Sequence, residues 1–138
     1  MDRLKLSVIS SKMRSIDICM MTSIGNYGRL ISRPMSNNAD VEYDGNSYFF
    51  TYSDSEIVKD VKKNNNVNLG FQGSDMFCIS IIGKVDLIED KEILATHWVK
   101  SLERWFKEGI DTPGIIMLHV KAVNIKYWHK EQQGEIDL

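Results

Sequence analysis

The sequence predicts a mainly β domain, built as a six-stranded antiparallel barrel with peripheral helices. Three observations carry this expectation. Short segments rich in β-branched and aromatic residues recur along the chain, separated by Gly, Asn and Asp at the turns. One of them, 76–88, is long and alternating, with a glycine near its middle where a closing barrel has to bend. Two or three segments follow the helical period instead, and no repeat or linker divides the 138 residues, so a single domain over 1–138 is expected.

Segment 4–14 places Leu4, Val8, Ile9 and Met13 at helical spacing. A strand follows over 16–22, and the turn Gly25-Asn26-Tyr27-Gly28 leads to a second strand over 29–35, as in a hairpin. Asp44-Gly45-Asn46 forms the next turn, because glycine accepts positive φ, and 47–52 makes the third strand. Ser53-Asp54-Ser55-Glu56 reads as a capping box, with a hydroxyl accepting from a first-turn N–H while Glu56 reaches back to the cap. The short helix it opens carries Ile57, Val58 and Val61 on its apolar face and ends near Asn64-Asn65-Asn66. The fourth strand spans 67–72 and turns at Gly73-Ser74-Asp75. In the fifth, 76–88, Phe77, Ile79, Ile81, Val85 and Leu87 share one face, while Ser80, Lys84 and Asp86 take the other. Segment 90–105 is expected as one helix with Leu94, Trp98, Leu102 and Trp105 in a stripe. Residues 107–114 contain Gly and Pro and read as irregular; the sixth strand covers 115–128, and the polar segment 130–138 is a candidate disordered tail.

Composition narrows the function. Apolar residues at 43% and charged residues at 26% are ordinary for a soluble globular chain. The 17 basic and 19 acidic side chains leave a formal charge of −2, so no basic field favours nucleic acid or an anionic membrane. Lys59, Lys62 and Lys63 are the single basic cluster and fit a solvated helix face. No apolar run has membrane-spanning length and no signal-peptide block opens the chain, so no membrane partner and a cytoplasmic location are expected. Cys19 and Cys78 lie in apolar runs, too few for a disulfide framework and not spaced as metal ligands. His97, His119 and His129 are far apart, without an HxxxH pair, so no zinc site is expected; His119 fits a sheet-face histidine. Asp86, Glu89 and Asp90 fit a strand end and a helix start. With no nucleophile elbow, GxGxxG or Walker loop, no catalytic side chain is assigned, and any chemistry would belong to a cofactor.

The strand end Tyr48-Phe49-Phe50-Thr51-Tyr52 running into Ser53-Asp54-Ser55-Glu56 is the most informative stretch. A helix N-terminus offers unpaired N–H groups and the positive end of the dipole, which stabilise an anion. Thr51, Ser53 and Ser55 add hydroxyl donors, and Arg33 on a neighbouring strand adds a bidentate fork. The same hydroxyls also suit a plain N-cap, Asp54 and Glu56 count against an anion, and Pro34 argues that Arg33 lies on an edge strand. Trp98, Trp105, Phe106 and Trp128 read either as packing residues or as walls for a flat apolar ring.

Several motifs recur in a fixed order: Ser32-Arg33-Pro34-Met35, Phe49-Phe50-Thr51, Asp54-Ser55, Asn66-Val67 and Ile82-Gly83-Lys84-Val85. After them come Trp105-Phe106, Gly109, Asp111 and Pro113, then Tyr127-Trp128. From about 16 to 128 this order resembles the pyridoxamine 5'-phosphate oxidase-like FMN-binding split barrels, in particular the general stress protein branch. The resemblance implies a six-stranded split β-barrel with FMN as cofactor. It implies that Ser32, Arg33, Pro34, Met35, Phe50, Thr51 and Ser55 line the phosphate and ribityl chain. It further implies a homodimer with FMN at the subunit interface, where Trp105, Phe106 and Trp128 border the flavin.

One departure stands out. The family's Lys, two residues after the helix-opening Ser, is Ile57 here; Lys59 is kept as a cofactor-binding candidate although it points elsewhere on the helix. Losing one charge-assisted hydrogen bond costs about 1.5–3 kcal/mol, or about one to two decades in Kd. No Arg follows Trp128, so the basic C-terminal segment of true pyridoxamine-phosphate oxidases is missing and that activity is not expected. The resemblance therefore implies a flavin-dependent oxidoreductase or reductase, or a flavin carrier, acting on an unidentified small molecule. The alternative, favoured by Ile57, is a non-enzymatic barrel that binds a non-flavin ligand or haem, with His119 or His129 as haem-ligand candidates.

Overall fold

The computed structural model describes residues 6–37 and 42–138. Among the described residues, seven strands form one sheet: β1 (Ile18–Ile24), β2 (Leu30–Ser36), β3 (Asn46–Tyr52), β4 (Asn66–Gln72), β5 (Phe77–Ile88), β6 (Ile115–His129) and β7 (Gln132–Asp137). All pairings are antiparallel, in the order β2-β1-β4-β5-β6-β3, with β7 also paired to β6. The six-stranded path is the expected split barrel, curled but open between its end strands β2 and β3. Three α-helices among the described residues decorate it: α1 (Leu6–Met13), α2 (Glu56–Lys63) and α3 (Lys91–His97). Among the described residues, no helix is long and apolar enough to cross a membrane.

Alternation dictates the main core. The inward residues Cys19 and Met21 of β1, Val67, Leu69 and Phe71 of β4, and Phe77, Ile79, Ile81 and Val85 of β5 are all buried together. Helix α1 closes one part of this core with Ile9 and Met13, whereas Val8 is exposed and Leu4 lies outside the described residues. Helix α2 contributes Ile57, Val58 and Val61. The bend expected at Gly83 is present: the β5–β6 register shifts between Ile82 and Gly83. A Cβ there would stand 2.7 Å from Val120 Cγ1 and 3.1 Å from the Lys121 carbonyl oxygen, so only glycine lets the two strands approach this closely.

Strand β3 and the first part of β6, Ile115–Val120, are buried on both faces. Phe49, Ile116 and Leu118 point into the barrel, while Phe50 and Met117 point outward into a second core with Leu94 and Phe106. Trp98 and Leu102 pack against that second core.

Three expectations are corrected. The single helix over 90–105 is an α-helix over Lys91–His97, an extended Trp98–Val99 step and a 3-10 turn over Lys100–Arg104. The break lets Trp98 meet Phe50 edge-on at 5.0 Å and Phe106 at 5.9 Å, which one continuous helical stripe would not allow. The segment 130–138 is not a loose tail, since 132–137 forms β7. Backbone pairing with β6 holds it, together with the Asn124 side-chain amide, which donates to Glu135 at 2.9 Å and Asp137 at 2.6 Å. The capping box at α2 does not form: Ser55 is the N-cap but makes no side-chain cap bond. Asp90 does cap α3, accepting from the N–H groups of Glu92 and Ile93.

Candidate functional site

The split of the barrel places β2 near α2. Successive β2 side chains alternate, so Arg33 and Met35 turn inward while Ser32 and Pro34 face outward. Ser32 shares a hydrogen bond of 2.6 Å with the Thr22 hydroxyl on that outer face. The four consecutive residues therefore divide between two faces rather than lining one wall. As Pro34 suggests, β2 is an edge strand.

Arg33 is the centre of the inward group. Its Nη1 donates to the Met21 carbonyl oxygen at 3.4 Å, and its Nη2 lies 3.8 Å from Asp60 Oδ2 in the second turn of α2. That separation is an ion pair without a hydrogen bond, and Nη2 is buried with no hydrogen-bond partner. Asp60 is itself buried and accepts from the buried Ser23 hydroxyl at 3.2 Å. A fork-shaped cation with one unused buried donor is suited to an oxyanion.

The start of α2 supplies the second element. Thr51, at the end of β3, donates to Ser55 Oγ at 3.3 Å, and the Ser55 hydroxyl leaves the first-turn N–H groups uncapped. From Ser55 to Asp60 is five residues, a rise of about 7.5 Å along the helix. The hydroxyl pair thus lies at the start of α2 and the guanidinium beside its second turn, on two successive turns of one helix. Lys59 is exposed, and Ile57 is 4% exposed within the barrel core. The position where the resemblance expects a cation thus holds a packing residue.

The aromatic candidates do not behave alike. Phe50 and Phe106 are core residues of the second cluster. Trp105 is 59% exposed, with the Arg104 guanidinium 5.6 Å from its ring. Trp128 is also exposed, near the far end of β6, where it pairs with Cys78 of β5 and Gln133 of β7. Met117, in the Phe50 cluster, lies eleven residues earlier on that strand, so Trp128 is remote from Phe50 within one chain.

An aromatic stack that sequence separation concealed joins β3, β6 and the end of α3. Tyr48 stacks on His97 at 3.7 Å and on His119 at 4.7 Å, and His119 Nε2 shares a 2.8 Å hydrogen bond with Asn46. Burial holds the His119 imidazole below its ordinary range, with Lys121 adding to the effect and Asp86 opposing it. Burial likewise pushes the Cys19 thiol up to about 12. Among the described residues, no three His, Cys, Asp or Glu side chains are grouped to hold a metal ion.

Comparison with known proteins follows the same outline. Protein bli-3 of Neurospora crassa is 26% identical over 133 residues, covering 89% of this chain; the chain spans only 64% of that protein's length. A protein of Clostridium acetobutylicum related to general stress protein 26 superposes with a TM-score of 0.84 at 20% identity, covering 96% of this chain and 94% of its own. General stress protein 26 of Bacillus anthracis gives 0.79 at 20% identity, covering 96% and 98%. A heme binding protein of Mycobacterium smegmatis shares the fold at 10% identity, with a TM-score of 0.75, covering 99% of this chain and 60% of its own. A family model described as pyridoxamine 5'-phosphate oxidase like matches residues 5–137, and the chain belongs to that family.

Proposed function

We propose that this protein binds FMN, with the phosphate between Arg33 and the hydroxyl-bearing start of α2, and serves as a flavin-dependent oxidoreductase or flavin carrier. The observation that carries this reading is the buried Arg33 Nη2, which has no hydrogen-bond partner. Such a donor is costly to bury unless a ligand completes it. Thr51 and Ser55 add hydroxyls that bond each other now and turn toward a phosphate oxygen on binding. Family membership supports the same assignment.

Bound FMN supplies hydride transfer at N5, to or from a small molecule. The chain's own residues bind and orient. Arg33 fixes the phosphate, Thr51 and Ser55 meet its oxygens, and the uncapped α2 terminus favours its charge. A homodimer belongs to this reading. The outer face of the sheet exposes Ile18, Met20, Leu30, Ile82 and Trp128, apolar side chains that a second copy would cover, bringing Trp105 or Trp128 of one subunit beside the ring held by the other. A cytoplasmic setting accords with two free cysteines.

The decisive variant is Arg33→Ala, compared with the parent by FMN titration of the stripped protein. Affinity should fall at least about tenfold, because the variant loses the phosphate contact and leaves the Asp60 carboxylate unopposed, while gel filtration shows the same dimer. Unchanged affinity would remove the phosphate site. A second reading, a ligand-binding barrel without flavin, is favoured by Ile57 in the core and by Asp60 against Arg33. A colourless protein that ignores FMN selects it.

A further inference from the structure

We propose that Asp60 is an internal counter-ion to Arg33 that sets the charge selectivity of the ligand site. This rests on the reading that the site takes a flavin phosphate. The observations are independent of that reading, however. The Arg33 Nη2 and Asp60 Oδ2 stand 3.8 Å apart, close enough for charge neutralisation and too far for a hydrogen bond. Asp60 is buried, and the buried Ser23 hydroxyl donates to the same Oδ2, which fixes the carboxylate in place. Gly25 adds close backbone on the same side: a Cβ there would come 3.6 Å from that oxygen. The carboxylate is therefore built into the site by β1 and α2.

The charge count follows. Arg33 contributes one positive charge, Asp60 one negative, Ile57 none, and Lys59 points to solvent. The inner part of the site is close to neutral. A phosphate monoester carries nearly two negative charges, so its approach to Arg33 is opposed by a carboxylate already there. A neutral ligand meets no such opposition. The site consequently separates flavins weakly by their phosphate, and Asp60 is the residue responsible. It is a positioning residue: it holds Arg33 and touches no reacting atom.

The experiment measures FMN and riboflavin binding to the stripped parent protein and to Asp60→Asn, in buffer free of phosphate. Asparagine keeps the shape and the bond from Ser23 but removes the charge. The parent should bind FMN no more than about tenfold more tightly than riboflavin. Asp60→Asn should tighten FMN about tenfold or more and leave riboflavin within twofold. A purely structural role would weaken both ligands together, and that result overturns the proposal. Melting in inorganic phosphate supplies a second readout without flavin. Phosphate should stabilise Asp60→Asn well beyond its effect on the parent, and equal stabilisation would overturn the proposal. Selective stabilisation by phosphate with no flavin bound to either protein keeps the counter-ion and discards the flavin reading. If Asp60→Asn does not fold, Arg33→Gln/Asp60→Asn should restore folding by removing both charges; failure to do so contradicts the pairing.

Discussion

The two adjacent aromatics Trp105 and Phe106 make opposite predictions, and the structure gives their size. Phe106 is 5% exposed and packs in the outer core with Phe50, Leu94 and Met117, with further ring contacts to Tyr52 at 5.2 Å and Trp98 at 5.9 Å. Truncating a buried Phe to Ala costs about 3–5 kcal/mol. The unfolding entropy of a 138-residue chain is about 0.29 kcal/mol/K, so Phe106→Ala should lower Tm by about 10–17 °C. Trp105 is 59% exposed, and its truncation should change stability by no more than about 0.5 kcal/mol, near 2 °C. If Trp105 walls the flavin of a partner, Trp105→Ala should instead weaken FMN. Calorimetry of the stripped variants, followed by FMN titration, separates the two effects. Comparable loss of stability in both variants, or a Phe106→Ala shift under about 3 °C, would refute the division into core and site aromatic.

Three further outcomes test the fold and its electrostatics. Gly83→Ala should destabilise by about 1–3 kcal/mol in urea unfolding, because its Cβ would stand 2.7 Å from Val120; a neutral effect would mean the β5 bend relaxes freely. Asp90→Ala should cost about 0.5–2 kcal/mol through loss of the α3 cap, whereas Ser55→Ala, which removes no cap bond, should cost under about 0.5; the reverse order would contradict the assigned caps. For His119, burial favours the neutral ring in the folded state, so the unfolded chain binds more protons below about pH 6.5. Stability from this group is full above that pH and falls as acid is added; urea unfolding of His119→Gln should show a shallower decline, and an identical slope would exclude His119 as a source.

Much of the barrel was legible in the sequence because burial on one face of a strand enforces a two-residue period. Phe77, Ile79, Ile81 and Val85 announce their shared face, and Gly83 marks the bend that Val120 makes obligatory. The break after His97 was not legible. No Gly or Pro marks it, and it is decided by the seating of Trp98 on Phe50 and Phe106, residues distant in sequence. Strand β7 was hidden because its residues are mostly exposed, with Ile136 alone packed against the main core. The candidate site was half legible. Its cation and hydroxyls could be read from Arg33, Thr51 and Ser55, but the Asp60 carboxylate looked like any helix residue, because its partners Arg33 and Ser23 come from strands 27 and 37 positions away. Alternation also divides Ser32 and Pro34 from Arg33 and Met35, a consequence of β2 being a regular strand rather than a loop.

The central claim is tested most directly by the visible spectrum of the freshly purified protein together with an FMN titration of the stripped form. A flavin spectrum and saturable binding of one FMN per subunit are the predicted result. A colourless protein whose intrinsic fluorescence is unchanged by FMN would contradict it, and Arg33 with its paired Asp60 would then serve the barrel rather than a cofactor.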